Sequence, residues 1–460
     1  MTEQKNMQQK DIVIIGAGLT GLTMAYHLQK QGKNVLVVEK SSRSGGAICT
    51  LHEDGYVIET GPNTGSLANE EIVNLFKSLK NCNPEIANKD AHRRLIWKKG
   101  KLRALPSGIF SGFFTPLFSW KDKFGILLEP FRKKGTNPDE SIADFAKRRL
   151  GNSFYDYAVS PFVSGIYAGN PEALAIRYAL PKLYALEADY GSFIRGTIAK
   201  SKDFKAQRKL GVSKEVFSVE GGLNNLVDAL VSEIGTENII LNANTTVLYG
   251  NSDDCSLKIN EDEIQCTRII STVGAHSLPE LLPFVSTELM SKINNLSYAT
   301  VVQVAVSISS DAVDANDIHA FGALFPSKEN RKILGILYPS VCFKNRCPQG
   351  KTLLSVFIGG VKHPEMLQLP DDKIMELVKK ELRIIYHRPE LEPKIHYIAR
   401  HTHAIPQYEK NTGERIDAIA EFEKLYPGIS IAGNAIGGIG MDHRVKQAKT
   451  FLARFFHNSK

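Results

Sequence analysis

The 460 residues contain only six cysteines, at positions 49, 82, 255, 266, 342 and 347, and no Cys-x-x-Cys pair. Thiols scattered in this way build neither a disulfide framework nor a zinc site, and they suit a reducing compartment. No run of about 18 uninterrupted apolar residues occurs, so no membrane-spanning helix is expected. The first ten residues, MTEQKNMQQK, lack the apolar core of a secretory signal, which predicts a cytoplasmic protein. There is no solenoid-type repeat and no low-complexity tract. Also missing is any serine, cysteine or metal constellation that could run nucleophilic or metal-assisted chemistry. A chain of this length and ordinary composition is expected to fold as two or three domains.

What the chain does have stands near its start. Residues 12–15 are apolar, and Gly16-Ala17-Gly18-Leu19-Thr20-Gly21 follows at once. A helical stretch comes next, then a second apolar run at 35–38, then Glu39 and Lys40. Strand, glycine turn, helix and strand in this order are the dinucleotide-binding fingerprint. Gly16 permits the turn, Gly18 lets backbone approach a pyrophosphate, and Gly21 lets helix and strand pack closely. The helix N-terminus offers unpaired N–H groups to the phosphates. Glu39, 23 residues after Gly16, is placed to accept hydrogen bonds from a ribose. An acid there disfavours a 2′-phosphate, hence NADP. The run from Glu39 through Arg43 to Gly45 and Gly46 resembles the acid-x3-Arg-x-Gly-Gly run of amine-oxidase-type flavoproteins, which implies a cation and small residues where the chain passes the FAD pyrophosphate and flavin. More than 400 residues follow the fingerprint, which favours FAD over NAD.

The net charge of +8 is concentrated in one segment. Residues 90–135 hold eleven lysines and arginines against Asp90, Asp122 and Glu129. The same segment contains the aromatic-rich run IFSGFFTPLFSW at 109–120. Cations flanking aromatics suggest attraction to membrane headgroups or to a ligand with several carboxylates. No nucleic-acid motif accompanies them.

Residues 141–150 read as a serine-capped helix, 223–234 as an amphipathic helix and 371–387 as another. Strands are expected at 239–241, 246–249, 268–273, 353–358 and 429–432, and around the alternating Val302, Val304 and Val306. Residues 90–210 read mainly as helices and loops. Near the C-terminus, Gly433, Asn434, Gly437, Gly438, Ile439, Gly440 and Met441 form a second glycine-rich turn between a strand and a helix. Four glycines in so short a span are costly unless backbone must approach something closely. The turn implies that both ends of the chain clasp one cofactor.

The expected fold class is therefore α/β and α+β. A Rossmann-type FAD-binding domain (1–80, 211–275 and 410–460) carries two insertions. One is a helical segment at 90–210 that could face a substrate or a membrane; the other is a sheet-containing substrate-binding segment at 276–409. His401 and His403 would share one face of a strand, but no third metal ligand accompanies them, so no metal is expected.

Several stretches across the chain resemble the FAD-dependent porphyrinogen oxidases of haem biosynthesis, the protoporphyrinogen IX and coproporphyrinogen III oxidases. They are Glu59-Thr60-Gly61-Pro62-Asn63, FVSGIYAGNP at 162–171, YGSFIRG at 190–196, LGILYPS at 334–340, AIPQY at 404–408 and the turn at 433–441. Asn170 and Met441-Asp442 depart from the family pattern without removing a glycine. The resemblance implies a six-electron oxidation of a porphyrinogen by hydride transfer to non-covalently bound FAD, with O2 or a quinone as the final acceptor. It implies Arg94 as a propionate partner, Gly165 and Ala168 as a small-residue wall beside the macrocycle, and Phe343 as a stacking ring. It also implies Val247 as a backbone contact to adenine, and Gly61, Pro62 and Asn63 as part of the FAD site. Protoporphyrinogen IX is the first expectation and coproporphyrinogen III the alternative. A flavin amine oxidase, a carotenoid-type desaturase and a non-catalytic FAD- or haem-binding scaffold stay open, as does a monomer or homodimer.

Overall fold

The computed structural model describes residues 10–106 and 114–457, the side chains of Asp90, Lys202, Phe204 and 454–457 excepted. Residues 109–113 of the aromatic-rich run thus lie outside the described residues. Strand Lys10–Ile15 pairs in parallel with Val35–Val38 on one side and with Asp262–Ser271 on the other. Ile239–Ile240 extends the sheet beyond Val35–Val38, while Cys255–Ile259 and Thr245–Gly250 extend it antiparallel past Asp262–Ser271. Ile429–Ile431 also pairs in parallel with Asp262–Ser271. Val35–Val38 is buried at all four positions, as expected for a parallel strand covered on both faces. The last helix, Met441–His457, packs beside the first, Leu19–Lys30, in a core containing Leu22, Met24, Val445 and Leu452. Each such buried side chain contributes about 1.5–3 kcal/mol. Both ends of the chain therefore share one layer.

A second seven-stranded sheet has Tyr298–Ser309 near one end, between Lys394–Pro406 and Lys351–Gly359. The alternation at Val302, Val304 and Val306 predicts one buried face, yet nine of the twelve residues of Tyr298–Ser309 are buried. Helix Asp371–Ile385 covers one face through Ile374, Val378 and Leu382, which pack with those valines. Hairpin Thr50–Glu53 and Tyr56–Glu59 covers part of the other, where Tyr56 and Ile58 meet Ala305. Long-range packing hides the polar-looking face.

Two more placements differ from expectation. Arg94–Lys98 and Lys101–Ala104, in the segment read as helical, complete the second sheet, with Leu95 opposite Ala323 on a parallel neighbour. Leu95, Ile96 and Trp97 are all buried, so this run is a strand covered on both faces. Helices Leu278–Leu281 and Thr287–Ile293, expected with the second sheet, pack with Phe422 and Ile429 in the core of the first.

The helical region is pinned by a buried ion pair. Helix Ile142–Leu150 starts at Ser141, whose hydroxyl accepts the Asp144 N–H at 3.0 Å. Arg149 near its end is 0% exposed and pairs with Glu129, 1% exposed. Glu129 also accepts the Ser192 hydroxyl at 2.5 Å and the Phe193 N–H at 3.0 Å. Burial alone would push the Glu129 carboxyl up; hydrogen bonds from Ser192, Phe193 and Ile194, with the charge of Arg149, outweigh it and hold the carboxyl below its ordinary value. Arg149→Met would strand a buried carboxylate. Urea unfolding is expected to show a loss of about 3–5 kcal/mol, and a loss under about 1 kcal/mol, the level of an exposed pair, would contradict the pairing.

Candidate functional site

A cavity of about 1040 Å³ runs between the two sheets. Its floor is the first glycine turn. Gly16 has φ +105°, and a Cβ there would meet Thr272 Oγ1 at 2.8 Å. A Cβ on Gly21 would lie 2.0 Å from the Gly16 carbonyl oxygen, so Gly21 serves the packing of helix on strand and stands behind the wall. Gly18 is different: nothing lies within 4 Å of its Cβ position, which opens toward the cavity. It begins helix Leu19–Lys30 with no side-chain cap, so the first-turn N–H groups have no side-chain acceptor there. Leu19 and Thr20 line the same wall.

The loop after the second strand closes against this turn. A Cβ on Gly46 would lie 3.1 Å from the Gly18 Cα, and Gly45 donates to the Ala17 carbonyl at 2.8 Å. Glu39 lines the cavity beside Lys40 and accepts the Ala17 N–H at 2.8 Å. Ala17 thus orients the acid and is not itself on the wall. Arg43 does not line the cavity either. Its guanidinium donates to the carbonyls of Ile48 (2.7 Å), Gly46 (2.7 Å) and Ser44 (3.1 Å). The expected cation for a pyrophosphate is thereby spent on stitching the loop.

Gly61, Pro62 and Asn63 bring the third stretch to the wall. Glu59 holds it. Burial pushes the Glu59 carboxyl up to about 7, against hydrogen bonds from the Leu223 N–H (2.7 Å) and the Thr50 hydroxyl (2.8 Å). The Glu59 carbonyl accepts Gln303 Nε2 at 2.6 Å, tying hairpin to second sheet. The C-terminal turn supplies Gly433, Asn434, Gly438, Ile439 and Met441. Gly440 is not on the wall: its Cβ position is 2.5 Å from Asp442 Oδ1. Val247 is fully buried in the core, and its neighbours Thr245 and Thr246 line the cavity instead.

The far end of the cavity is apolar, with Gly165, Ala168, Val301, Leu334 and Phe357. A Cβ on Gly165 would strike Leu324 at 2.3 Å, so glycine lets helix Ser160–Tyr167 lie on the second sheet. Ala168 has φ +47°, a left-handed turn for a non-glycine residue, and its carbonyl accepts the Val361 N–H at 2.8 Å. Arg94 and Phe343 are not on this wall. They sit together around Phe321: the Arg94 guanidinium lies 5.3 Å from that ring, and Phe321 packs on the cluster of Ala91, Cys342 and Phe343. Phe343 is buried there, so its ring serves packing. The Tyr167 hydroxyl donates to the Ala179 carbonyl, and burial raises its pKa, as for a core phenol.

The histidine pair His401 and His403 lines the cavity, joined there by His276, which carries no sequence signal of its own. His276 stacks on His403, ring centres 3.9 Å apart and planes within 8°, with Tyr298 edge-on to both. Burial, then the charge of His403, pushes the His276 pKa down. His401 hydrogen-bonds the Thr60 carbonyl at 2.7 Å. No group of three metal-ligating side chains occurs among the described residues. Arg400, Gln303 and Arg444 also line the cavity.

These features fit FAD: open backbone at Gly18, an uncapped helix N-terminus, an acid 22 residues from Ala17, and a buried Asn63 Oδ1 without a partner among the described residues. Residues 19–447 match the family described as flavin containing amine oxidoreductase. The chloroplastic protoporphyrinogen oxidase of Nicotiana tabacum is 28% identical over 95% of this chain and 84% of its own length. The coproporphyrinogen III oxidase of Bacillus subtilis is 25% identical over 97% of both chains. A solved structure from Exiguobacterium sp. has a TM-score of 0.78 at 22% identity, covering 98% of this chain and 99% of that one.

Gly18→Val should yield folded protein without flavin, because its side chain meets only ligand space. Visible absorbance of the purified variant reads this directly; full flavin content would refute the placement.

Proposed function

The chain belongs to the flavin containing amine oxidoreductase family and is an FAD-dependent oxidoreductase, and from that premise we propose that it oxidises protoporphyrinogen IX to protoporphyrin IX. The observation that carries this reading is the far end of the cavity. It is a slot of small and aliphatic residues in which Phe357 is the one Phe, Tyr or Trp ring among the described lining residues. An amine site would be expected to offer an aromatic cage, whereas a flat, largely apolar macrocycle needs a slot. Relatives bearing the names of porphyrinogen oxidases run along 94–97% of the chain, which supports the same reading.

Bound FAD would supply the hydride acceptor for each of three two-electron rounds. Gly165 and Ala168 border the ring edge as small residues of the wall, and Val301 and Leu334 exclude water from it. Arg94 is exposed and forms no salt bridge among the described residues; it lies beside Phe321 off the cavity wall, so in our proposal it pairs with a propionate that projects beyond the slot. Gly16, Gly18, Leu19, Thr20, Glu39, Lys40 and the turn at 433–441 hold the cofactor, and the slot presents a bridging carbon to it. O2 would take each electron pair together with two protons to give hydrogen peroxide, or a quinone would take them to give a quinol. The coproporphyrinogen III reading is favoured by one observation, the end-to-end match to the Bacillus subtilis enzyme.

A second surface belongs to this reading. Helix Trp120–Leu127 buries none of its residues, and Phe114 (74% exposed), Phe124, Leu128 and Phe131 (80%) project near exposed Lys121, Lys133 and Lys134. No helix among the described residues is long and apolar enough to cross a membrane. In our proposal this face rests on an anionic bilayer from the cytoplasmic side.

Under anaerobic mixing, protoporphyrinogen IX should bleach the flavin, and under air porphyrin fluorescence and peroxide should rise together. Bleaching by a simple amine alone would overturn the proposal, and bound flavin without any turnover would favour a scaffold. Coproporphyrinogen III in the parallel assay decides between the two substrates. Arg94→Ala should raise KM about tenfold at unchanged flavin content, since a charge-assisted contact contributes about 1.5–3 kcal/mol; an unchanged KM removes Arg94 from the site. Vesicles rich in anionic lipid should bind the protein, and less so in high salt. Phe124→Ser with Phe131→Ser should weaken that binding roughly tenfold or more, given about 1.5–3 kcal/mol per buried Phe; undiminished binding excludes this face.

A further inference from the structure

Arg444 is the fourth residue of the last helix, Met441–His457, and it lines the cofactor cavity. Its Nη2 donates to the carbonyls of Gly437 and Gly438, which folds the guanidinium back against the second glycine turn. Its Nε and Nη1 are buried and have no hydrogen-bond partner among the described residues. A buried guanidinium with unused donors is costly, and such groups normally find an acceptor.

The surrounding groups do not provide one. The Tyr408 hydroxyl donates to the carbonyls of Asn434 and Gly438, each at 2.9 Å. The Tyr298 hydroxyl donates to Asn434 Oδ1 and accepts the Ala275 N–H. Asp442, the nearest acid in sequence, is engaged by Asn69 Nδ2 at 3.3 Å and lies 3.7 Å from His443 Nε2. Arg415 adds a second cation close to the same tyrosines, its Nε donating to the Ala435 carbonyl. Burial accordingly pushes the Arg444 pKa down, which Tyr408, Asp442 and Tyr298 oppose only in part.

Two ends of the cofactor could accept from such a cation. The pyrophosphate already has a cradle at Gly18 and the N-terminus of Leu19–Lys30. Arg444 sits elsewhere, against Gly438. Tyr408 bonds that glycine, and the preceding Gln407 bonds the Tyr167 carbonyl at 2.9 Å, one residue from Ala168. Arg444 therefore stands on the side of the cavity that leads to the apolar slot, where the redox-active ring must meet a substrate.

We propose that Arg444 is a cofactor-tuning residue: its unused N–H groups and its charge face the pyrimidine edge of the FAD ring, which gains negative charge on two-electron reduction. This rests on FAD binding at the cavity and adds a role for a side chain in setting the reducibility of the flavin. A cation at that edge favours the reduced ring. For the same electrostatic reason it favours the anionic adduct that sulfite forms by adding to the oxidised ring.

The test uses flavin-loaded wild type, Arg444→Lys and Arg444→Met, read by flavin content, sulfite affinity and reduction potential. Wild type should bind sulfite. Arg444→Met should weaken that binding tenfold or more and shift the reduction equilibrium about tenfold, about 30 mV lower for two electrons. Arg444→Lys should keep most of both. Wild type that ignores sulfite, or a Met variant with unchanged affinity and potential, overturns the proposal. So does a Met variant that sheds FAD while its remaining flavin keeps the wild-type potential, since that assigns Arg444 to the phosphates. If Arg444→Met does not fold, the wild-type sulfite result and Arg444→Lys carry the test: a lysine variant that loses sulfite affinity entirely overturns a role based on charge. Wild type that binds no FAD at all would instead refute the cofactor assignment itself.

Discussion

Three stretches of backbone meet at Thr272 with no room for a Cβ between them. Gly16 approaches its hydroxyl and Gly433 its carbonyl, at Cβ distances of 2.8 and 2.7 Å, while the hydroxyl itself bonds the carbonyls of Ile15 and Gly16 at 3.1 Å. The N-terminal turn, the end of the central strand and the C-terminal turn are thereby locked together. Both glycines have positive φ, so a side chain would be strained as well as crowded. The cofactor cavity exists because these turns are bare backbone held close, and everything inserted between them is arranged around that junction.

The insertions form the opposite wall. Gln303, on strand Tyr298–Ser309 of the second sheet, bonds the Glu59 carbonyl and so ties the hairpin to that sheet. Glu59 in turn anchors the start of helix Asn224–Ile234 through the Leu223 N–H. One buried glutamate, through its carbonyl and its carboxyl, thus links separate stretches of chain, and burial pushes the carboxyl up to about 7. The chemistry this permits is division of labour: backbone for phosphates, small and aliphatic residues for a flat substrate, and polar side chains at the junction between them.

Much of the nucleotide half could be read from the chain because its signals are local. Glycines at fixed spacing and an acid after the second strand need only a short stretch to be recognised. Their individual uses were less legible. Arg43 belongs to the motif, yet both its terminal nitrogens bond carbonyls of its own loop. Ala17 and Gly21 shape the turn from behind the wall. Val247 is core, and the neighbouring threonines face the cavity. In each case the motif specifies a backbone path, and side-chain direction follows from packing partners distant in sequence.

The sequence by itself determined that two glycine turns, one near each end, would serve one dinucleotide, because close backbone approach leaves a compositional mark. Only the tertiary structure decided which residues share the cavity. His276 and His403 lie 127 positions apart and stack face to face. Arg94 and Phe343 meet around Phe321 away from the wall, because the strand Arg94–Lys98 joins the second sheet. Arg444, an unremarkable arginine in a terminal helix, acquires unsatisfied buried donors only when that helix docks beside the first. Local chemistry marks where backbone must bend or approach; which side chains it then exposes to a ligand is set by long-range packing.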